Sequence, residues 1–281
     1  MSNLVSTANL VSTEWLAAHL NDVRVVDASW YMPGESRDPA AEFAAAHIPG
    51  AVHFDIDAIA DRSTDLPHML PTADAFAQAV GALGIGNDQT VVVYDGSGIF
   101  SAPRVWWMFK AMGHDKVKVL DGGLPKWKDE GRAVESGPAD PVPQTFRATP
   151  RPGIIRNFED VMDIVRDRSA QIADARSPGR FTGDEAEPRP GVRGGRMPGA
   201  ANVHFRTLLT EGSFKPPAQL REIFAAAGVD VQKPIVTSCG TGVTAAILML
   251  ALDDIGARNV ALYDGSWTEW GSRPDAPVVK D

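Results

Sequence analysis

The only cysteine of the chain begins a glycine-containing loop, CGTGVTA, which runs from Cys239 to Ala245. The loop directly follows the apolar run PIVTS, and it leads into an apolar stretch, Val243 to Leu252, that is long enough for a helix. Two glycines let backbone N–H groups converge on one point, and a following helix adds the positive end of its dipole. Such a cradle lowers a thiol pKa from about 8.5. The pattern predicts a nucleophilic Cys239, and a buried, inert thiol is the alternative.

Two other functions share parts of this pattern. GTGVTA has the form G-x-G-x-x-A of a dinucleotide-binding turn, and Asp264 stands about 20 residues further on. Only 17 residues follow Asp264, however, and DGSGIFSA in the first half of the chain would be an equally good fingerprint without a purpose. A cysteine phosphatase needs an arginine that closes the anion loop, and none follows Cys239 closely. Both functions are therefore disfavoured.

The chain repeats itself. Four segments recur in the same order at offsets of 143 to 149 residues: VVDAS and IADARS, IPGAV and MPGAA, VVVYDGSG and IVTSCGTG, VKVLDGGLPKW and VALYDGSWTEW. Ordered matches at a nearly constant offset indicate two copies of one domain. Asp95 stands in the first copy where Cys239 stands in the second.

Short β-branched runs alternate with amphipathic stretches of helical length in both copies. This alternation predicts an α/β fold, in which each domain has a mainly parallel sheet flanked by helices. Ligands in such sheets bind beyond the carboxyl ends of the strands, which is where the Cys239 loop lies. A Pro-, Gly- and Ala-rich stretch suits an exposed linker at 136–149, between an N-terminal domain at 10–135 and a C-terminal domain at 150–281.

These motifs together resemble the tandem-domain rhodanese-type sulfurtransferases, from about Leu10 to Pro277. The resemblance is carried by CGTGVTA, the turns HIPGA and RMPGA, the paired DGG and DGS segments and the duplication. Neutral Gly240 and Thr241 resemble the branch of that family that uses 3-mercaptopyruvate, whose loop reads C-G-S/T-G-V-T. The branch that uses thiosulfate typically has C-R-K-G-V-T.

The resemblance implies two rhodanese-like domains, of which the first is non-catalytic because Asp95 cannot form a persulfide. It implies that Cys239 takes sulfur from a small mercaptoacid, 3-mercaptopyruvate, releases pyruvate, and passes the sulfur to a small thiol, a thioredoxin-like protein or cyanide. The alternatives are a thiosulfate:cyanide sulfurtransferase, and a non-catalytic rhodanese-like binding module or persulfide carrier.

Substrate-binding residues also follow from the resemblance. Backbone N–H groups of the loop would hold the outer sulfur of the persulfide, and the residues concerned are Gly240, Gly242, Val243 and Thr244. Arg180 in GRF and Arg189 in EPR would bind the substrate carboxylate and carbonyl. The alternative is that both are solvated loop arginines, which is also how Arg193 and Arg196 are interpreted.

A proton relay is the last implied feature. Asp57 in FDID and His68 in LPHMLP match positions that act with a loop hydroxyl in this family, and here Thr241 would supply the hydroxyl. The alternative is a capping Asp57 and a structural loop His68.

Composition excludes several functional classes. The net charge of −9 argues against nucleic-acid binding. The sequence contains no run of about 20 apolar residues, the length that would predict a membrane span. One cysteine and scattered histidines predict no disulfide and no metal site, and no motif calls for a cofactor. The N-terminal segment Met1 to Leu10 lacks the features of a targeting peptide, which predicts a cytoplasmic location.

Overall fold

The computed structural model describes residues 8–280. The prediction of a cytoplasmic location was based on Met1 to Leu10, most of which lies outside the described residues. The chain forms two compact units. Of the described residues, unit 1 comprises 8–61, 71–151 and 211–214, and unit 2 comprises 62–70, 152–210 and 215–280. Among the described residues, no helix combines the length and the apolar character needed to cross a bilayer.

Unit 1 is built on a five-stranded sheet in which every strand is parallel to its neighbours, in the order β1-β5-β4-β2-β3. Its elements are β1 Leu10–Val11, α1 Thr13–His19, β2 Val23–Asp27, α2 Pro39–Ala45, β3 Val52–His53, α3 Ala73–Ala82, β4 Thr90–Tyr94, α4 Ala102–Ala111, β5 Val117–Leu120 and α5 Gly123–Asp129.

Unit 2 has an equivalent parallel sheet, in the order β6-β12-β11-β7-β8. Its elements are β6 Ile155–Arg156, α6 Phe158–Asp167, β7 Gln171–Asp174, α7 Pro178–Thr182, β8 Ala200–Asn202, β9 Leu209–Thr210, α8 Pro217–Ala226, β11 Ile235–Ser238, α9 Ala245–Asp254, β12 Val260–Tyr263 and α10 Ser266–Ser272. Strand β10, Ser213–Phe214, belongs to unit 1. Short 3-10 turns precede β6 and β9, at Pro152–Ile154 and Phe205–Leu208.

The central strands β4 and β11 are almost entirely buried because helices cover the sheets. In unit 1, Val92 packs with residues of α1, α2 and α5, whereas α3 and α4 contribute Phe76 and Phe109 to a separate cluster of aromatic rings. In unit 2, the α9 residues from 245 to 252 are all buried. These layers confirm the α/β fold with a flanked parallel sheet in each half.

The helix after the cysteine loop starts later than the apolar run suggests. The run begins at Val243, but α9 begins at Ala245. Gly242 has a φ of +81°, in the left-handed region, so the chain is still turning there. The loop consequently spans the whole of residues 239–244.

The predicted linker has no helix or strand, but it is not exposed throughout. Phe146 is buried and lies edge-on to the rings of Phe76 and Phe109. The Gln144 N–H donates to the Gly81 carbonyl (2.9 Å). The expectation of a fully exposed segment is therefore wrong at Phe146, because one buried aromatic side chain attaches the segment to the core of unit 1.

Candidate active site

Cys239 lies where the prediction placed it, at the carboxyl end of β11, and its residue surface is 2% exposed. Helix α10 holds the loop backbone. The N–H of Trp267 donates to the Cys239 carbonyl (2.9 Å), and the N–H and hydroxyl of Thr268 both donate to the Gly240 carbonyl (2.9 and 2.8 Å). The position of the thiol is thus determined by two elements, the strand before it and α10.

The equivalent loop in unit 1 shows what this backbone can bind. The Asp95 carboxylate accepts hydrogen bonds from the N–H groups of Ser97 (2.9 Å), Phe100 (2.8 Å) and Ala102 (2.9 Å). Burial raises the pKa of Asp95 to about 6, against the opposing effect of these three donors. In unit 1 the cradle is therefore occupied by an acidic side chain of its own loop.

Unit 2 has the equivalent loop, but one of the three corresponding donors is engaged, because the Ala246 N–H, which matches that of Ala102, donates to the Val243 carbonyl (3.2 Å). Thr241 and Thr244 are the equivalents of Ser97 and Phe100 at the offset of 144 residues that relates Asp95 to Cys239. Within residues 8–280, the N–H groups from Gly240 to Thr244 donate to no protein acceptor. An anion on the Cys239 side chain has the cradle that the Asp95 carboxylate occupies in unit 1.

Ser266 holds the backbone of Cys239, and it was not predicted as a site residue from the sequence. Its hydroxyl accepts a hydrogen bond from the Cys239 N–H (3.1 Å) and donates one to the Tyr263 carbonyl (2.9 Å). Ser266 is fully buried with a φ of +50°, whereas its repeat equivalent Gly123 has a φ of +56°. A serine in a conformation that favours glycine is strained, and such strain marks functional sites. The sequence signal for Ser266 is the change from DGG in the first repeat to DGS in the second.

Arg180, a predicted substrate-binding residue, lies against the loop. Its Nη2 is 3.1 Å from where a Cβ on Gly240 would be, so glycine at 240 gives the guanidinium room. The Glu187 carboxylate pairs with this guanidinium (2.5 Å from Nη2), and the Arg180 side chain is 18% exposed. The Arg180 guanidinium thus contacts Glu187 and also lies beside Gly240 of the Cys239 loop.

A buried ion cluster stands behind Arg180. Arg176 pairs with Asp174 (2.7 Å) and with Glu187 (2.8 Å), and all three side chains are at most 3% exposed. Burial lowers the pKa of Arg176, but the two carboxylates outweigh this effect and raise it. Charges therefore alternate from Asp174 through Arg176 and Glu187 to Arg180. Glu187 was not predicted as a site residue from the sequence.

The other arginines of this segment differ. Arg189 is half-buried in a bend, where its carbonyl accepts a weak hydrogen bond from the Val192 N–H (3.5 Å). The expectation that Arg193 is a solvated loop residue is wrong, because its guanidinium donates to four backbone carbonyls, those of Trp270, Gly271, Arg273 and Ala276. Arg193 fixes the end of α10. Arg196 lies over the Phe181 ring (5.2 Å).

His68 belongs to unit 2, together with Cys239 and Thr241, although it is far from them in sequence. Its side chain is buried, and its φ of +61° is one of four left-handed values among non-glycine residues in the described part of the chain. Thr241 is buried in the loop. The structure thus places two of the three predicted relay residues in unit 2, which also contains Cys239.

Asp57 lies in unit 1, in a turn whose Asp55 carboxylate accepts the Asp57 N–H (2.8 Å). The Asp57 carboxylate is exposed and accepts a hydrogen bond from the Trp30 indole N–H (3.0 Å). Its part in the relay stays a prediction. Across residues 8–280, no group of three or more His, Cys, Asp or Glu side chains is arranged to hold a metal ion.

Comparison with known proteins identifies relatives along nearly the whole chain. Residues 12–130 and 157–273 each match the family described as Rhodanese-like domain. The chain is 44% identical to 3-mercaptopyruvate sulfurtransferase of Escherichia coli K12, over 98% of this chain and 99% of that protein. It is also 44% identical to thiosulfate/3-mercaptopyruvate sulfurtransferase 1 of Arabidopsis thaliana, a mitochondrial protein, over 99% of this chain and 79% of that one.

A solved structure agrees with these sequence matches. The crystal structure of SseA from Escherichia coli, a 3-mercaptopyruvate sulfotransferase described with the rhodanese fold, superimposes with a TM-score of 0.85 at 41% identity. The match covers 92% of this chain and 98% of SseA.

Proposed function

The chain belongs to the rhodanese family and is a sulfurtransferase, and on that premise we propose that its donor is 3-mercaptopyruvate and its intermediate a Cys239 persulfide. In the first step the Cys239 thiolate attacks the substrate sulfur. The carbon–sulfur bond breaks, its electron pair passes to the enolate of pyruvate, and a proton completes pyruvate. In the second step a thiol or cyanide attacks the outer sulfur and restores the thiolate.

The observation that carries this proposal is the pair of equivalent loops. One holds a carboxylate on three N–H groups, and the other presents its N–H groups around the only cysteine of the chain. A persulfide is an anion one atom longer than a thiolate. The N–H groups of the loop from Gly240 to Thr244, which include the equivalents of those of Ser97 and Phe100, stabilise the negative charge that develops on that outer sulfur.

The donor assignment depends on where the positive charge lies. The loop itself is neutral at Gly240 and Thr241, and the nearby cation is Arg180, held by Glu187 beside the loop. A planar guanidinium binds a carboxylate through two hydrogen bonds, which suits a mercaptoacid. Arg189, which follows Glu187 by two residues, is proposed as the second group that binds the carboxylate or carbonyl.

Proton transfer to the departing enolate needs a donor close to the thiol. We assign this task to His68 with the Thr241 hydroxyl, since both residues are buried in the catalytic unit. The role of Asp57, which lies in unit 1, stays a prediction.

Thiosulfate is the second candidate donor, because one relative at 44% identity is named for both substrates. Steady-state kinetics with each donor and a common cyanide acceptor tests the assignment. We expect a higher kcat/KM with 3-mercaptopyruvate, and Arg180→Ala to lower it with that donor by roughly tenfold or more, as for a lost charged hydrogen bond. A higher kcat/KM with thiosulfate would contradict the assignment.

A further inference from the structure

A hydrogen bond from a backbone N–H to a side-chain carboxylate helps to hold the segment that carries His68 in unit 2. The Leu70 N–H donates to Oδ2 of Asp264 across 2.7 Å. Asp264 is 5% exposed and directly follows β12, two residues before Ser266, which supports Cys239. The carboxylate therefore links the active-site end of the sheet to a residue only two positions after His68.

The repeat contains the same bond a second time. In unit 1, Oδ1 of Asp121 accepts the Phe214 N–H (3.1 Å), and Asp121 is equally buried. Asp121 is the repeat equivalent of Asp264, and Phe214 is that of Leu70, at offsets of 143 and 144 residues. Each unit thus uses the aspartate after its last sheet strand to hold a segment from the other half of the sequence.

The two segments differ in the side chain at one position, which is His68 in unit 2 and Gly212 in unit 1. His68 is equivalent to Gly212, and both have a left-handed backbone, with φ of +61° and +76°. In unit 1, Gly212 lies against Gly98 of the Asp95 loop so closely that a Cβ on Gly98 would be 2.7 Å from the Gly212 Cα. The segment in unit 2 has a histidine in the same backbone conformation, in spite of the conformational cost for a residue with a Cβ.

From these observations we propose that Asp264 is a positioning residue for His68. Its carboxylate fixes the backbone after His68 and so holds the imidazole beside the Cys239 loop during proton transfer. The inference rests on the proposed function, in which His68 handles the proton. Asp121 makes the same bond to a segment without a titratable side chain at the matching position, so its contribution is to stability alone.

The test is a double-mutant cycle with a matched control in the other unit. The variants are Asp264→Ala, His68→Ala, their combination, and Asp121→Ala, assayed for kcat with 3-mercaptopyruvate across pH. We expect Asp264→Ala to lower kcat by about tenfold or more and to remove the same limb of the pH profile as His68→Ala, because general acid–base groups contribute at least that much. The double variant should lose no more than about twofold beyond His68→Ala, since both changes remove one function.

Two further variants make the result independent of folding defects. Asp264→Asn retains an oxygen that accepts the Leu70 N–H and should recover most of the kcat lost in Asp264→Ala. Asp121→Ala should lower the thermal midpoint but keep kcat within about twofold of wild type, because the bond it removes lies in the non-catalytic unit.

Other outcomes overturn the inference. If the losses from Asp264→Ala and His68→Ala multiply, or if Asp264→Ala behaves like Asp121→Ala, Asp264 does not act through His68, and the proposed function stands. If His68→Ala itself keeps wild-type kcat and pH profile, the relay and this inference fail together. Persulfide formation on Cys239, measured separately by mass spectrometry, would still report on the donor chemistry.

Discussion

At the scale of single residues, the site depends on buried polar side chains that have two partners each. The Ser266 hydroxyl lies between the Cys239 N–H and the Tyr263 carbonyl, and Glu187 lies between Arg176 and Arg180. A buried group with two partners has little freedom to move, so each fixes a neighbouring residue of the proposed site. Changing either one tests the site without touching the thiol.

Replacing Ser266 separates strain from hydrogen bonding. Ser266→Ala keeps a Cβ at positive φ and leaves the buried Cys239 N–H unsatisfied, so we expect a loss of about 2 kcal/mol in unfolding free energy. Ser266→Gly relieves the strain and should lose about 1 kcal/mol less. Both variants should lower kcat by a similar factor, measured with 3-mercaptopyruvate. Wild-type kcat in Ser266→Gly would show that the hydroxyl does not position Cys239.

The role of Glu187 has a matched control in unit 1. Glu187→Gln removes the charge that orients Arg180, and we expect kcat/KM for 3-mercaptopyruvate to fall about tenfold, or about 1.4 kcal/mol, mainly through KM. Glu42 pairs with Arg37, whose Nη2 approaches the Gly96 carbonyl in the non-catalytic loop (3.4 Å). Glu42→Gln should leave kcat/KM within about twofold. Equal losses in the two variants would contradict the positioning role.

At the scale of elements, one strand–loop–helix unit serves two purposes in one chain. After β4 the loop holds its own carboxylate, and after β11 it surrounds a thiol. The repeated alternation of β-branched and amphipathic runs predicted these strands and the loops that follow them. It could not predict that α9 starts at Ala245, because the boundary depends on the φ of Gly242, nor that Phe146 is buried, because that depends on distant rings.

The Asp95 loop should make stability depend on pH. Burial raises the pKa of Asp95 from 3.8 to about 6, so the folded protein holds this proton more tightly than the unfolded chain. The resulting stabilisation is fully present below pH 3.8 and is lost as the pH rises through about 6. Between pH 5 and pH 7.5 we expect a loss of about 1 to 2 kcal/mol from this group.

Urea unfolding at the two pH values measures this loss. Asp95→Ser removes the titrating group, and its unfolding free energy should change less than that of wild type over the same interval. An equal change in both proteins would show that Asp95 does not titrate as described.

At the scale of the whole molecule, the chain contains two rhodanese-like domains, and only the second has a cysteine in its loop. The repeat, the loop and the position of Asp95 could be recognised from the sequence, because each is a pattern along the chain. The assignment of residues 62–70 to unit 2 and of residues 211–214 to unit 1 could not be recognised, because it depends on packing between segments that are distant along the chain. The hydrogen bond of Asp264 could not be predicted for the same reason, because its partner Leu70 is 194 positions away in the sequence.

The central claim is that sulfur passes through Cys239, and one measurement tests it directly. The protein is treated with 3-mercaptopyruvate without an acceptor, and the peptide that contains Cys239 is analysed by mass spectrometry. The account predicts a gain of one sulfur atom, about 32 Da, on Cys239, which cyanide then removes. It also predicts no gain and no pyruvate release in Cys239→Ser. Release of pyruvate by Cys239→Ser, or turnover of wild type without any adduct on Cys239, would contradict it.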